Sequence, residues 1–460
     1  MPRWAIVALA LLTVGVLVGV AFLAVFGARQ VVRRIGEIEI EPPGGDEFSF
    51  SDVAACLRKV ESEIGQGLDT GEQSEAADPI KAVGDRVELI RGLEFTKPVE
   101  PRFLTSGEFT RRVTRDFERE FTSEEAAVNS RLLGLLGAMP AGADLKELIS
   151  GALGAGVLGF YDDDSGELVV RESGGDRSLS ADEEVVLAHE LDHALTDQVL
   201  DLPAIVDDDD PGTEDSSTGA LSLVEGDASL VDTVYARAGL STEERGGIGA
   251  PLSKGSQSSQ LQTLPHFIQR ELSFPYMEGL QFVCHLFSNG GWQRVDAAYK
   301  ELPQTSAQIL FAERYDSKEA ALDPPDPAPL DAPWKVERKF ALGAAPMLFL
   351  FEAPGGDTGR AVNSPLQSAS SWAGGELELW SRNEASAAGI ALMQRPGGRL
   401  CDAVKSWYSK AFPTSRAAPA EIGEVLAVDG VDQDAVIRCS GTEVRVGIAP
   451  DLATARALIK

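Results

Sequence analysis

The chain has 460 residues, of which 43% are hydrophobic and 25% charged, room for two or three domains with real cores. Its 72 acidic side chains against 41 basic ones leave a formal net charge of −31. A surface so negative repels phosphate backbones and excludes DNA and RNA as partners.

Residues 4–27 carry no charge and are rich in Val, Leu and Ala. As a helix they reach about 36 Å, enough to cross a hydrocarbon layer of about 30 Å. A cleaved signal peptide is the competing reading, but Phe26 stands where the cleavage site wants a small residue. Residues 1–28 are therefore expected to anchor a single-pass protein in the cell membrane. Arg29, Arg33 and Arg34 follow the span, while Arg3 and the terminal amine precede it, which by the positive-inside rule puts the body in the cytoplasm. The N-terminal position of the span and the even number of cysteines argue the other way, so an extracytoplasmic body is expected. Cys401 and Cys439 are placed to form one disulfide; Cys56 and Cys284 are far apart, and spacing does not settle their pairing. No CxxC spacing exists to make a cysteine zinc site.

Residues 29–78 read as a juxtamembrane linker, with Pro42-Pro43-Gly44-Gly45 and a short helix over 48–64. Residues 79–322 read as one domain. Its proline-broken stretch 91–104 suggests edge strands, and charged helices follow over 106–121 and 124–136. Residues 157–171 suggest a hairpin turning at Asp164-Ser165-Gly166. Ser180 and Glu183 form an S-x-x-E cap at the start of a helix over 180–200. The loop 201–218 holds Asp207 to Asp210, a solvated acidic run that also offers oxygen ligands to Ca2+, without regular loop spacing. A second helix is expected over 219–238, with Gly239 as its C-cap. The proline-rich stretch 323–333 marks a linker. Beyond it, 334–460 reads as a small α+β domain with strands at 376–380, 435–439 and 443–448 and helices at 400–411 and 451–458. The fold class expected for the whole is α+β.

The chemistry concentrates in His189-Glu190-Leu191-Asp192-His193. An HExxH on a helix puts both imidazoles on one face, where they can hold one Zn2+ together. Glu190 then projects beside the metal, placed to take a proton from a bound water. Zinc hydrolases keep three protein ligands and an open position. The remaining histidines, His266 and His285, lack the spacing of a third histidine ligand, so a carboxylate is expected. The second helix supplies Glu225, at the edge of an apolar stripe formed by Leu221, Val224, Ala228, Val231 and Tyr235. A carboxylate on so apolar a helix is costly unless paired or metal-bound, and Gly226 beside it permits close helix approach. Asp197, four residues after His193, is expected to orient a ligand imidazole, with Asp227 and Asp232 as competitors. Four residues are candidates to stabilise an oxyanion: His266, Tyr276, Tyr235 and Tyr161.

HELDHALTDQ followed by LVEGDA resembles the gluzincin class of zinc metallopeptidases, whose pattern is HExxH plus a glutamate on the next helix. The resemblance implies a zincin-like domain with an active-site helix pair, His189, His193 and Glu225 as ligands, and Glu190 as general base. Thermolysin-like members carry an Asp four residues after the third ligand; Ser229 stands there in this chain. The sequence is also similar to a group of membrane-anchored bacterial proteins that share GFYD, HELxHALxDQ, ALxEGDA and FPYxxG. It departs from them at Phe311-Ala312, where the group has His-Pro. Tyr276, within FPYxxG, becomes the preferred oxyanion residue by this resemblance.

The expected activity is peptide-bond hydrolysis, with a peptide or protein as substrate. The segment 167–170, just before the metal helix, is expected to pair with that substrate as an edge strand. The alternative is a cell-surface binding or scaffold protein whose zinc is structural or whose activity is lost; the intact Glu190 argues against it.

Overall fold

A computed structural model of the protein describes residues 50–68, 79–156, 159–162, 165–172, 179–202, 214–247 and 263–460. The expected membrane span and the Asp207 to Asp210 loop lie outside these residues. Among the described residues no helix is long and apolar enough to cross a membrane. The architecture is mixed α+β, with two separate sheets.

Helix α1 (Phe50–Ile64) buries Val53, Leu57 and Val60, and α2 (Pro79–Arg91) buries Val83, Val87 and Ile90. Both stripes follow helical spacing. The sequence reading did not anticipate α2. Strand β1 (Arg102–Leu104) is all that the stretch 91–104 contributes to a sheet, because Pro98 and Pro101 cannot donate to a ladder. Helices α3 (Ser106–Glu120) and α4 (Ser123–Leu135) each start with a capping box, Thr105 with Glu108 and Thr122 with Glu125. α5 (Leu145–Gly156) leads into the expected hairpin of β2 (Gly159–Asp162) and β3 (Glu167–Arg171). Gly166 turns it with φ at 66°, a left-handed conformation that glycine adopts without cost.

The sheet order is β1-β3-β2, with β1 parallel and β2 antiparallel to β3. This corrects one expectation. β3 is the central strand and both its edges are taken, so it cannot receive an extended peptide. The outer strand beside the next helix is β2.

That helix, α6 (Ala181–Leu200), starts at the predicted Ser180–Glu183 capping box and carries HELDH. α7 (Glu214–Val234) runs on into a wider π turn, Tyr235–Gly239, so Gly239 lies inside the turn and Leu240 follows as the cap. The long helix α8 (His266–Ala298) contains Pro275 and departs from helical geometry at Gly291. α7 and α8 cross at two glycines: a Cβ on Gly226 would overlap the Gly279 backbone, and one on Gly279 would overlap Ser222 and Gly226. The glycine of EGDA and that of FPYxxG thus serve one close contact.

The C-terminal part is a seven-stranded antiparallel sheet, larger than the three strands expected. Along the chain come β4 (Lys335–Ala341), helix α9 (Ala344–Glu352), β5 (Trp372–Arg382), β6 (Ala385–Gln394) and helix α10 (Leu400–Ala411). They are followed by β7 (Arg416–Ala417), β8 (Glu424–Asp429), β9 (Asp434–Ser440), β10 (Glu443–Ala449) and helix α11 (Leu452–Leu458). The sheet order is β4-β5-β6-β10-β9-β8-β7. The proline-rich stretch is strapped to it: Ala328 donates its N–H to the Leu458 carbonyl at 3.1 Å. α9 packs against α8, and one apolar cluster runs unbroken from Val53 to Ile448. Two disulfides close the structure, Cys56–Cys284 between α1 and α8, and Cys401–Cys439 between α10 and β9.

Candidate metal centre

Four residues apart on α6, His189 and His193 face the same side, with their Nε2 atoms 3.0 Å apart. α7 crosses opposite and brings Glu225 Oε2 to 3.2 Å from His189 Nε2 and 3.4 Å from His193 Nε2. All three side chains are buried. Among the described residues one other acidic group has the geometry to hold a metal, Asp326, Glu376 and Glu378. There the amine of Lys339 already sits 3.0 Å from Asp326 and 2.9 Å from Glu376.

The donor set at His189, His193 and Glu225 fits a cation. His189 Nδ1 lies 3.0 Å from Asp232 Oδ2. A carboxylate accepts, so Nδ1 carries a proton, and a cation at the centre would replace the proton that Nε2 otherwise shares with Glu225. Three acceptor atoms then converge in a buried space. Burial acts to lower the pKa of His189, but the hydrogen bonds it donates to Asp232 and Glu225 raise it well above its ordinary value. His193 is likewise raised, burial being outweighed chiefly by Glu225. Burial also opposes ionisation of Glu225, yet His193 and the hydrogen bonds of both imidazoles hold its pKa down to about 2. The centre therefore favours positive charge.

Glu190 sits beside it, 1% exposed. The backbone N–H of Tyr161, on β2, donates to Glu190 Oε2 at 2.8 Å. Glu190 Oε1 is buried without a hydrogen-bond partner among the described residues, and burial raises the pKa of the carboxyl. Tyr276 is also fully buried; its hydroxyl bonds to Glu225 and its ring centroid lies 6.0 Å from that of His189. Burial and then the charges of Glu225 and Glu190 push its pKa well above the ordinary range, so the hydroxyl keeps its proton and can donate.

Of the three aspartates singled out in the sequence, Asp232 is the one on an imidazole. Asp197 accepts instead from the Tyr161 hydroxyl at 2.6 Å, and Asp227 from Arg91 Nε at 3.1 Å and the Tyr299 hydroxyl at 2.8 Å. Two other oxyanion candidates lie elsewhere. His266 pairs with Glu352, and the Tyr235 hydroxyl is held between Arg86 and Glu184. His285 pairs with Asp316.

Sequence reasoning missed Arg91. Its side chain is fully buried behind α6 and α7, 2.6 Å from Asp296 and 4.5 Å over the Trp292 ring. Burial acts to lower its pKa, but Asp227, Asp192 and Asp296 more than offset this and raise it. Asp192, inside HELDH, is buried with neither oxygen hydrogen-bonded among the described residues, and burial with Asp227 pushes its pKa up. The signal was available only through α2, where Val83, Val87, Ile90 and Arg91 share one buried face.

Compared with known protein families, with curated proteins and with solved structures, the chain matches none.

Proposed function

We propose that the chain is a gluzincin-type zinc metallopeptidase. The observation that carries this reading is the convergence of His189, His193 and Glu225 with the carboxyl of Glu190, whose Oε1 is left without a donor. Two imidazoles and one carboxylate are a donor set of catalytic zinc. Zinc bound there would supply a water whose pKa falls to about 7. The protein's own groups do the rest. Glu190, steadied by the Tyr161 N–H, takes a proton from the attacking water and passes it to the leaving amine. Tyr276 donates its hydroxyl hydrogen bond to the developing oxyanion. Asp232 keeps His189 in the tautomer that ligates.

Residues 4–27 are read as the anchor of a single-pass protein whose body lies outside the cytoplasm. The two disulfides support that compartment.

The competing reading is a binding or scaffold protein with a structural or spent zinc site, and it draws on the burial of the three ligands. Glu190 speaks against it, since a structural site has no use for a buried carboxylate oxygen without a donor. The test is metal analysis together with cleavage of a mixed peptide library by wild type, Glu190→Gln and His189→Ala. Zinc at one equivalent, retained in Glu190→Gln with cleavage lost, is the expected result. Bound zinc with no Glu190-dependent cleavage establishes the competing reading instead.

A further inference from the structure

Three helices carry the centre: α6 with the histidines and Glu190, α7 with Glu225, and α8 with Tyr276. Arg91 touches none of those five side chains, yet its guanidinium reaches all three helices. It comes from α2, which packs against α6. On α7 its Nε lies 3.1 Å from Asp227 Oδ2. On α8 it bonds to Asp296 at 2.6 Å and stacks 4.5 Å over the Trp292 ring. On α6 the Asp192 carboxylate attracts it by charge. The Tyr299 hydroxyl, just past the end of α8, donates to the same Asp227 oxygen at 2.8 Å.

Two of these carboxylates are close to the ligands along the chain. Asp192 precedes His193, and Asp227 follows Glu225 by two residues. At about 100° per residue, Asp192 and Glu190 flank the histidine pair on opposite sides of α6, while Asp227 points away from Glu225 across α7. A buried ion network is weak evidence for stability, because well-packed apolar side chains often do as well or better. What it adds is direction. Apolar burial is non-directional and lets two helices slide; a planar guanidinium fixed on carboxylates does not.

We propose that Arg91 is a positioning residue, which sets α6 against α7 so that His189 and His193 meet Glu225 in ligating geometry. The inference rests on the metal reading of that centre. Its test loads the full-length protein with Zn2+, read by chelator competition, and separately with Co2+, whose visible absorption reports ligand geometry. Arg91→Lys keeps the charge and loses the planar fork. It is expected to weaken zinc binding by about tenfold or more and to change the cobalt spectrum. Cys401→Ser with Cys439→Ser, which opens the disulfide between α10 and β9, is the control for lost stability alone: a lower melting temperature with zinc affinity and cobalt spectrum unchanged. Arg91→Lys with wild-type affinity and spectrum overturns the proposal, as does a control that weakens zinc as much for the same loss of stability. Should Arg91→Lys fail to fold, Tyr299→Phe, which removes only one hydrogen bond to Asp227, decides in the same way. Wild type that takes up neither metal overturns the metal reading and this inference with it. Wild type that takes up cobalt while the variant matches it overturns this inference alone.

Discussion

Asp232 has no part in the proposed bond cleavage, yet it decides which nitrogen of His189 faces the centre. Asp232→Asn is therefore expected to lower zinc affinity by about 10- to 100-fold, read by chelator competition. Glu190→Gln should do the reverse: zinc content unchanged and kcat down by about 100-fold or more. The two variants separate holding the metal from using it. Glu271 gives a pH prediction of a different kind. Burial pushes its pKa from an ordinary 4.5 up to about 7. Between those values the folded chain holds a proton that the unfolded chain has released. Its contribution to stability is thus full below about pH 4.5 and lost as pH rises through about 7, a change of about 3 kcal/mol. Urea unfolding of Glu271→Gln should lack that decline and show a more stable protein at about pH 8. An unchanged pH slope would mean that Glu271 ionises freely in the folded state.

At the scale of elements, the centre depends on how closely α7 approaches α8. Gly226→Ala places a methyl group into the Gly279 backbone, and overpacking of this kind costs about 1–3 kcal/mol. A lower melting temperature and weaker zinc binding are expected together, because Glu225 is the preceding residue. The same elements show what the sequence made legible. α6 could be read almost to the residue because a capping box, an apolar run and a histidine pair agree. Glu225 followed from the cost of placing a carboxylate on an apolar helix. The partner of His189, Asp232, was one of three aspartates the sequence offered, with Asp197 ahead of it. Asp197 has the right spacing on its own helix, but the imidazole reaches across to Asp232 on α7, and which α7 residue faces it depends on how the two helices cross. α8 was hidden by Pro275 and several glycines, which read locally as breaks and are tolerated here inside a packed helix. β3 was misplaced as an edge because its parallel pairing with β1 involves a strand of only three residues.

The whole molecule is held by more than its apolar core. Cys56 and Cys284 close a loop of 228 residues, and by loop entropy such a link stabilises by about 5 kcal/mol. Cys56→Ser with Cys284→Ser should lower the melting temperature by many degrees. On intact cells, a membrane-impermeant thiol reagent should label the protein only after reduction; free thiols reached only after lysis would put the body in the cytoplasm. The same bond joins a helix that precedes residues 69–78 to one that follows them. A protease that cuts within that stretch leaves two polypeptides, still one covalent object. On a gel such a nicked chain runs at full size until reductant is added. If residues 4–27 hold the protein in a membrane, release of the body by a cut there requires two events, hydrolysis and reduction. Retention at the surface is then controlled by the thiol chemistry of the surroundings as much as by any protease.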